Sequence, residues 1–222
     1  MTFAATVRAV SLATAAVFAA TSAQALTIPT ASLNANSIQT FSQDALDSFE
    51  LFKVTVTPLG NAYPAATPNA YVLPVTSITI GSGLKIASGE AKGSALEISR
   101  TVNGAKRGVT LANFKIDFQQ SLVLADTTPI GGVTAPMAPV YSFVKLKDLS
   151  VKYKFPFTIT ADEQLGQLFL TPEAIEAQIT SLQLPRVLAS AVLPQLDFGT
   201  IDIDVVLGFR KAVSTKAYVP AQ

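Results

Sequence analysis

Apolar and polar residues alternate with a period of two along most of this chain, and no other feature narrows its fold so far. Phe52, Val54 and Val56 alternate with Lys53, Thr55 and Thr57, and Ile78 and Ile80 flank Thr79. Leu96 and Ile98 alternate with Glu97 and Ser99, Val151, Tyr153 and Phe155 with Lys152 and Lys154, and Ile201, Ile203 and Val205 with Asp202 and Asp204. Successive strand residues point to opposite faces, so this pattern describes strands with one buried side, as in antiparallel sheets. The turn chemistry agrees. Asn103-Gly104 separates two apolar runs and accepts the positive φ values of a tight hairpin, and Gln119-Gln120-Ser121 forms a second, polar turn.

Helical signals are few. Thr171-Pro172-Glu173 offers a capping hydroxyl, a proline at the first helical position and an acid near the positive end of the dipole. Ile175, Ile179 and Leu182 follow on one face, and Pro185 stops the run. Shorter helices are predicted over 161–168 and over 43–49, the latter capped by Ser42. Proline-rich stretches at 58–74 and 129–139 read as long loops. The expected fold is therefore mainly β, an antiparallel sandwich with one to three short helices.

Residues 1–25 read as a secretory signal peptide. Arg8 is the only charged side chain, residues 9–20 are an uncharged run rich in Ala and Val, and Ala23-Gln24-Ala25 suits a signal peptidase, with cleavage before Leu26. Removing 25 of the 222 residues leaves 197, read as one β-rich domain over 26–222. Loss of Arg8 turns 16 basic residues into 15, against 15 acidic ones, so the mature chain carries no net charge to draw in nucleic acid. Cysteine is absent, which excludes a disulfide framework and a lipid-modified cysteine anchor. The uncharged span 54–84 is broken by Pro58, Gly60, Pro64, Pro68 and Pro74 and forms no membrane helix. The expectation is a soluble exported protein, periplasmic or extracellular.

Histidine is also absent, which removes the Ser-His-Asp triad, its cysteine variants and imidazole metal sites. Ser82 with Lys85 and Ser142 with Lys145 match Ser-x-x-Lys, but on strands residues three apart face opposite sides. Asp202 and Asp204 share a strand face, with Asp197 upstream. They read as a solvated face, as a calcium site formed by Asp197, Asp202 and Asp204, or as a carboxylate pair for glycan hydrolysis. Lys145, Lys147, Lys152 and Lys154 read as a solvated strand edge that discourages aggregation. Tyr63, Tyr71 and Tyr141 lie in or beside the two long loops and are candidate ligand contacts, each joining apolar area to a polar tip.

The order GSALEI at 93–98, NGAKRGVTLANFKIDF at 103–118, LVLADTTPI at 122–130 and PVYSF at 139–143 continues with LFLTPEAIEAQ at 168–178 and LDFGTIDIDV at 196–205. This layout resembles exported bacterial domains of the HtaA-like kind. The resemblance implies a β-sandwich and, for some members, haem held by tyrosine with a supporting histidine, a residue type absent from this chain.

These features point to an exported, non-enzymatic binding or structural protein of the bacterial envelope or exterior, with an unidentified surface partner and no required cofactor. One alternative is a carrier of a small apolar or haem-like ligand contacted by Tyr63, Tyr71 or Tyr141. The other is a carboxylate-dependent glycan hydrolase.

Overall fold

The computed structural model describes residues 26–29, 33–81, 86–154, 158–207 and 213–221. Residues 1–25, expected to be a signal peptide, and Ser82, Lys85 and Phe155 lie outside the described residues. Within them the protein is mainly β and antiparallel, as the alternation requires. Twelve strands join in one sheet that curls into a nearly closed sandwich-like barrel. They are β1 (Leu26–Pro29), β2 (Leu33–Thr40), β3 (Thr55–Gly60), β4 (Tyr63–Pro64), β5 (Ala70–Pro74), β6 (Ser77–Ile80), β7 (Ile86–Val102), β8 (Ala105–Asp117), β9 (Leu122–Pro129), β10 (Ala135–Lys154), β11 (Thr158–Leu170) and β12 (Thr200–Leu207). Their spatial order is β1-β6-β7-β8-β9-β10-β11-β12-β2-β5-β4.

β7 closes the structure because it is long enough to serve three neighbours. One edge pairs with β8 over its length, while the other takes β6 at Ile86–Glu90 and then β3 at Ser94–Ser99. Asn103 and Gly104 make the β7–β8 hairpin with φ of 51° and 78°, the conformation their side chains tolerate best. The polar turn after β8 is tied by Asp117, whose Oδ1 accepts from the amides of Gln119 and Gln120.

Three helices cover parts of the core. In α1 (Gln43–Phe52) the Ser42 hydroxyl accepts from Ala45 N at 3.0 Å and donates to Asp197 O at 2.5 Å, joining the cap to the approach to β12. In α2 (Pro172–Leu182) Thr171 caps Ala174 N and donates to Pro139 O. Its buried Ile175, Ile179 and Leu182 pack toward β8 and β10. α3 (Arg186–Val192) follows Pro185 and has no side-chain cap, so it lacks the start signal that marks α2.

Several expectations are corrected. Residues 161–168 belong to β11 because β10 and β12 hydrogen-bond to it from both sides. Leu165 and Leu168 are both fully buried although three apart, since Gln167, with φ of 52°, sits in a bulge that inserts an extra residue. That spacing imitates a helix. The stretch 58–74 is no open loop: it contains the end of β3, then β4 and β5, with Pro64 and Pro74 at strand termini where no ladder donor is needed. The second loop shrinks to 130–134, since Pro139 lies inside β10 beside a register shift. Phe52 and Lys53 close α1, so the first alternating run enters the sheet only at Thr55.

A large core of aliphatic and aromatic side chains fills most of the interior, with a smaller cluster of Ala35, Val75 and Ile78 beside it. At its centre, rings stack edge to face from Tyr71 to Phe41 at 6.0 Å and from Phe41 to Phe49 at 5.1 Å. They continue to Phe198 at 6.2 Å and Tyr141 at 5.5 Å. Phe198 is 1% exposed and touches both Phe49 of α1 and Tyr141 of β10. Phe198→Ala should therefore lower unfolding free energy by about 3–5 kcal/mol, measured by urea denaturation. A loss under 1 kcal/mol would show that the ring chain is not the structural centre.

Candidate functional site

The interior of β2 is unexpectedly polar. Ala35, Ser37, Gln39 and Phe41 face inward and are buried, whereas Ile38 is only half-buried. Ser37 and Gln39 open into a slot between the facing parts of the sheet. Its apolar walls include Leu73, Val75 and Ile78 from one side, Phe114, Ile116 and Phe118 from β8 and its end, and Ile201 and Ile203 from β12. The cavity in this slot is only about 30 Å³, far below the ~300–1,000 Å³ of small-molecule sites, so the slot is narrow and its walls nearly touch.

Gln39 is the exceptional residue in this setting. It is 2% exposed, and its Nε2 has no partner at hydrogen-bonding geometry. A buried donor left without a partner costs about 1–3 kcal/mol. The amide lies beside the Tyr141 hydroxyl. Burial pushes that phenol up to about 12, and its side-chain hydrogen bond with Gln39 pulls in the opposite direction. Phe118, a wall of the slot, stacks edge to face on Phe143 at 6.0 Å and carries Lys145 over its ring at 4.9 Å. Lys145 in turn pairs with the buried Glu163 at 3.4 Å, which fixes a charged pair against this wall.

The tyrosines expected as ligand contacts do not line the slot. Tyr141 is 2% exposed, inside the core against Phe198. Tyr71 is half-buried, donates its hydroxyl to Val56 O at 3.2 Å and has its phenol raised by burial. Tyr63 is 48% exposed on β4. Two of the three are thus spent on packing and on bracing β5 against β3, and the three phenols face different surroundings. The chain has no histidine to stand beside them.

The carboxylates are likewise separated by their uses. Asp197 accepts from Leu168 N at 3.0 Å and Gly199 N at 2.8 Å, which makes it a backbone cap for the corner before β12. Asp202 and Asp204 lie on the other face of β12 from the buried Ile201 and Ile203, opposite Gln164 and Asp162 of β11. Gln164 donates to Asp202 at 2.7 Å, and Lys147 pairs with Asp162. Among the described residues no three Asp, Glu, His or Cys side chains form a metal cluster, so Asp197, Asp202 and Asp204 do not assemble as a calcium set. Ser142 donates to Phe169 O on the outside while Lys145 reaches Glu163 inside, so their Ser-x-x-Lys spacing brings them to opposite faces. With Lys145 and Lys147 both in ion pairs, the basic strand edge is partly neutralised.

Sequence reasoning passed over Ser37 and Gln39. The usable signal was the stretch Asn34 to Thr40, where strand-like spacing coincides with hardly any apolar side chain.

Among solved structures, the C-terminal domain of HtaA from Corynebacterium glutamicum is similar to this chain, with 13% identity and a TM-score of 0.50. The match covers 79% of this chain and 98% of that one. It shows a shared fold at a distance. No protein-family model matches the chain, and no curated protein matches it. No helix among the described residues is long and apolar enough to cross a membrane.

The Tyr141 environment has a measurable consequence. The folded state holds the phenolic proton above the ordinary value of 10.0, so the associated stability is complete below pH 10 and is lost as pH rises toward 12. Alkaline titration followed by phenolate absorbance should show one tyrosine ionising near pH 12 or only on unfolding. Tyr141→Phe should remove that step; its persistence in the variant would refute the assignment.

Proposed function

We propose that this chain is an exported, non-enzymatic binding protein that holds a small, slender, mainly apolar molecule in the slot between β2, β8 and β12. The observation that carries the reading is the buried amide of Gln39, whose Nε2 lacks a partner at full hydrogen-bonding geometry, in a mainly apolar recess that Ser37 and Glu90 also line. Such a donor is unfavourable in the empty protein and gains a partner when a ligand carbonyl, ester or hydroxyl oxygen arrives. The apolar walls supply affinity through area removed from water, and the one amide supplies orientation. A narrow slot favours a thin chain or a flat edge over a bulky ring system. Where the side chains part to admit it, the adjustment falls on Ile78, Ile86 and Phe118 at the less plugged end, away from α1 and α2.

Non-enzymatic binding is the economical reading of this chemistry. Neither histidine nor cysteine is available, and the carboxylates of β12 stand on an open strand face paired with Gln164. Export rests on the signal-like segment at 1–25.

The absence of tryptophan allows a clean test. Phe118→Trp places a single fluorophore in the slot wall. Titration with methyl decanoate should shift its emission in a saturable way, whereas Gln39→Leu in the same background should weaken ester binding about tenfold, the equivalent of one lost hydrogen bond, and leave decane binding unchanged. An unresponsive tryptophan, together with no small molecule retained on the exported protein by native mass spectrometry, would reject the carrier function.

A further inference from the structure

The β7–β8 hairpin carries a second, unrelated feature at its turn end. Arg100 of β7 stands directly opposite Arg107 of β8 in the antiparallel register. Residues paired in this way share a face of the sheet, with Cβ atoms about 4.5–5.5 Å apart. No register shift separates them from the buried Leu96, Ile98, Val109 and Leu111, so both arginines continue the core-facing side of the hairpin. Gly108 lets the two strands approach closely beside them, since a Cβ there would stand 2.8 Å from Ser99 Cα. The tight Asn103-Gly104 turn lies just beyond, so both side chains rise from one closely paired ladder.

Like charges directly opposite on a ladder repel, and an acid on the same face would offset them. Here no acid pairs with them. Glu97 is the only acidic residue between Ala91 and Lys115, and it projects to the other face, where it pairs with Lys106 at 2.5 Å. Neither Arg100 nor Arg107 forms an ion pair among the described residues. Arg100 is half-buried, and its Nε is closed off from solvent without a hydrogen-bond partner, whereas Arg107 is exposed. On the other side of β7 the ladder to β3 begins with Thr55 opposite Ser99, so the residue entering beside Arg100 is Val54, which brings no acceptor side chain.

We infer that Arg100 and Arg107 together bind a terminal phosphate group, free or as a monoester. A guanidinium nitrogen shut away from water without an acceptor, next to a second guanidinium, is unfavourable on two counts. A doubly charged oxyanion removes both. Its oxygens accept from the N–H groups of Arg100, Nε among them, and its charge offsets the repulsion between the two side chains. The planar forks of arginine fit phosphate oxygens two at a time, and two such cations match a dianion better than a singly charged carboxylate. Arg107, exposed, meets the group from the solvent side. Neither arginine lines the slot, so this inference stands independently of the ligand proposed there.

The test uses the full chain with isotope-labelled arginine, observed by NMR at about pH 7.5, where a phosphate group is mostly dianionic. Inorganic phosphate titrated at constant ionic strength should shift the Nε–H signals of Arg100 and Arg107 together and saturably, while Arg186, already paired with Glu176, stays unmoved. Arg107→Gln, a change at an exposed side chain, should weaken binding about tenfold or more and leave the urea unfolding midpoint where it was. Arg100→Lys keeps the charge, loses the planar fork and should weaken binding as much. Vesicles then locate the source of the group. Capture by phosphatidic acid and not by phosphatidylglycerol of equal surface charge assigns it to a lipid headgroup, and capture by neither assigns it to a soluble molecule. No saturable shift, the same shift with chloride, equal movement of Arg186, unchanged affinity in Arg107→Gln, or equal capture by both lipids would each overturn the proposal.

Discussion

β7 is the strand on which the remaining structure depends. A sheet of this length leaves reactive edges unless it curls back on itself, and its curl here uses a strand long enough to hold one partner along one edge and two in succession along the other. β7 does so with β8 along one edge and β6 and β3 in succession along the other. Left-handed residues at Gly93, Asn113, Met137 and Gln167 lie in successive or nearby strands of the same sheet. Each adds local twist where the ladder shifts register. The same irregularities that bend the sheet also accompany the bonds of Asn113 to the Tyr218 backbone and let Leu165 and Leu168 enter the core together.

That curled sheet encloses an interior with two unlike parts. Around Phe198, the aromatic chain and the buried faces of α1 and α2 make a densely filled core. Toward Ile78, Ile86 and Ile203, the sheet supplies both walls by itself and leaves a narrow slot. Gln39 stands between these parts, beside Tyr141 on one side and lining the slot on the other. Its amide meets the buried Tyr141 hydroxyl at one end of the slot.

Much of the fold was legible because its causes are local. Thr171 and Ser42 cap the helices they were expected to cap, Asn103-Gly104 makes the hairpin, and Ile201 and Ile203 face inward. Misreadings arose where a neighbour overrode local pattern. The residues of β11 carry helix-like spacing, yet hydrogen bonding to β10 and β12 holds them extended and the Gln167 bulge accounts for the spacing. Tyr71 and Tyr141 looked like loop residues beside prolines, but the strands containing them carry both rings into the core ring chain.

By itself, the sequence determined the antiparallel β class, the helix starts and the chemistry open to a chain without histidine or cysteine, because each follows from residue type or from contacts a few positions apart. Alternation in β2 likewise determined that Ser37 and Gln39 share a face opposite Ile38. Only the tertiary structure decided that this face is the inner one, since a period of two fixes which residues go together and long-range pairing with β5 and β12 fixes which way they point. The slot, the unpartnered amide of Gln39 and the seat that Asn113 makes for a segment 105 positions away belong to that second class of information.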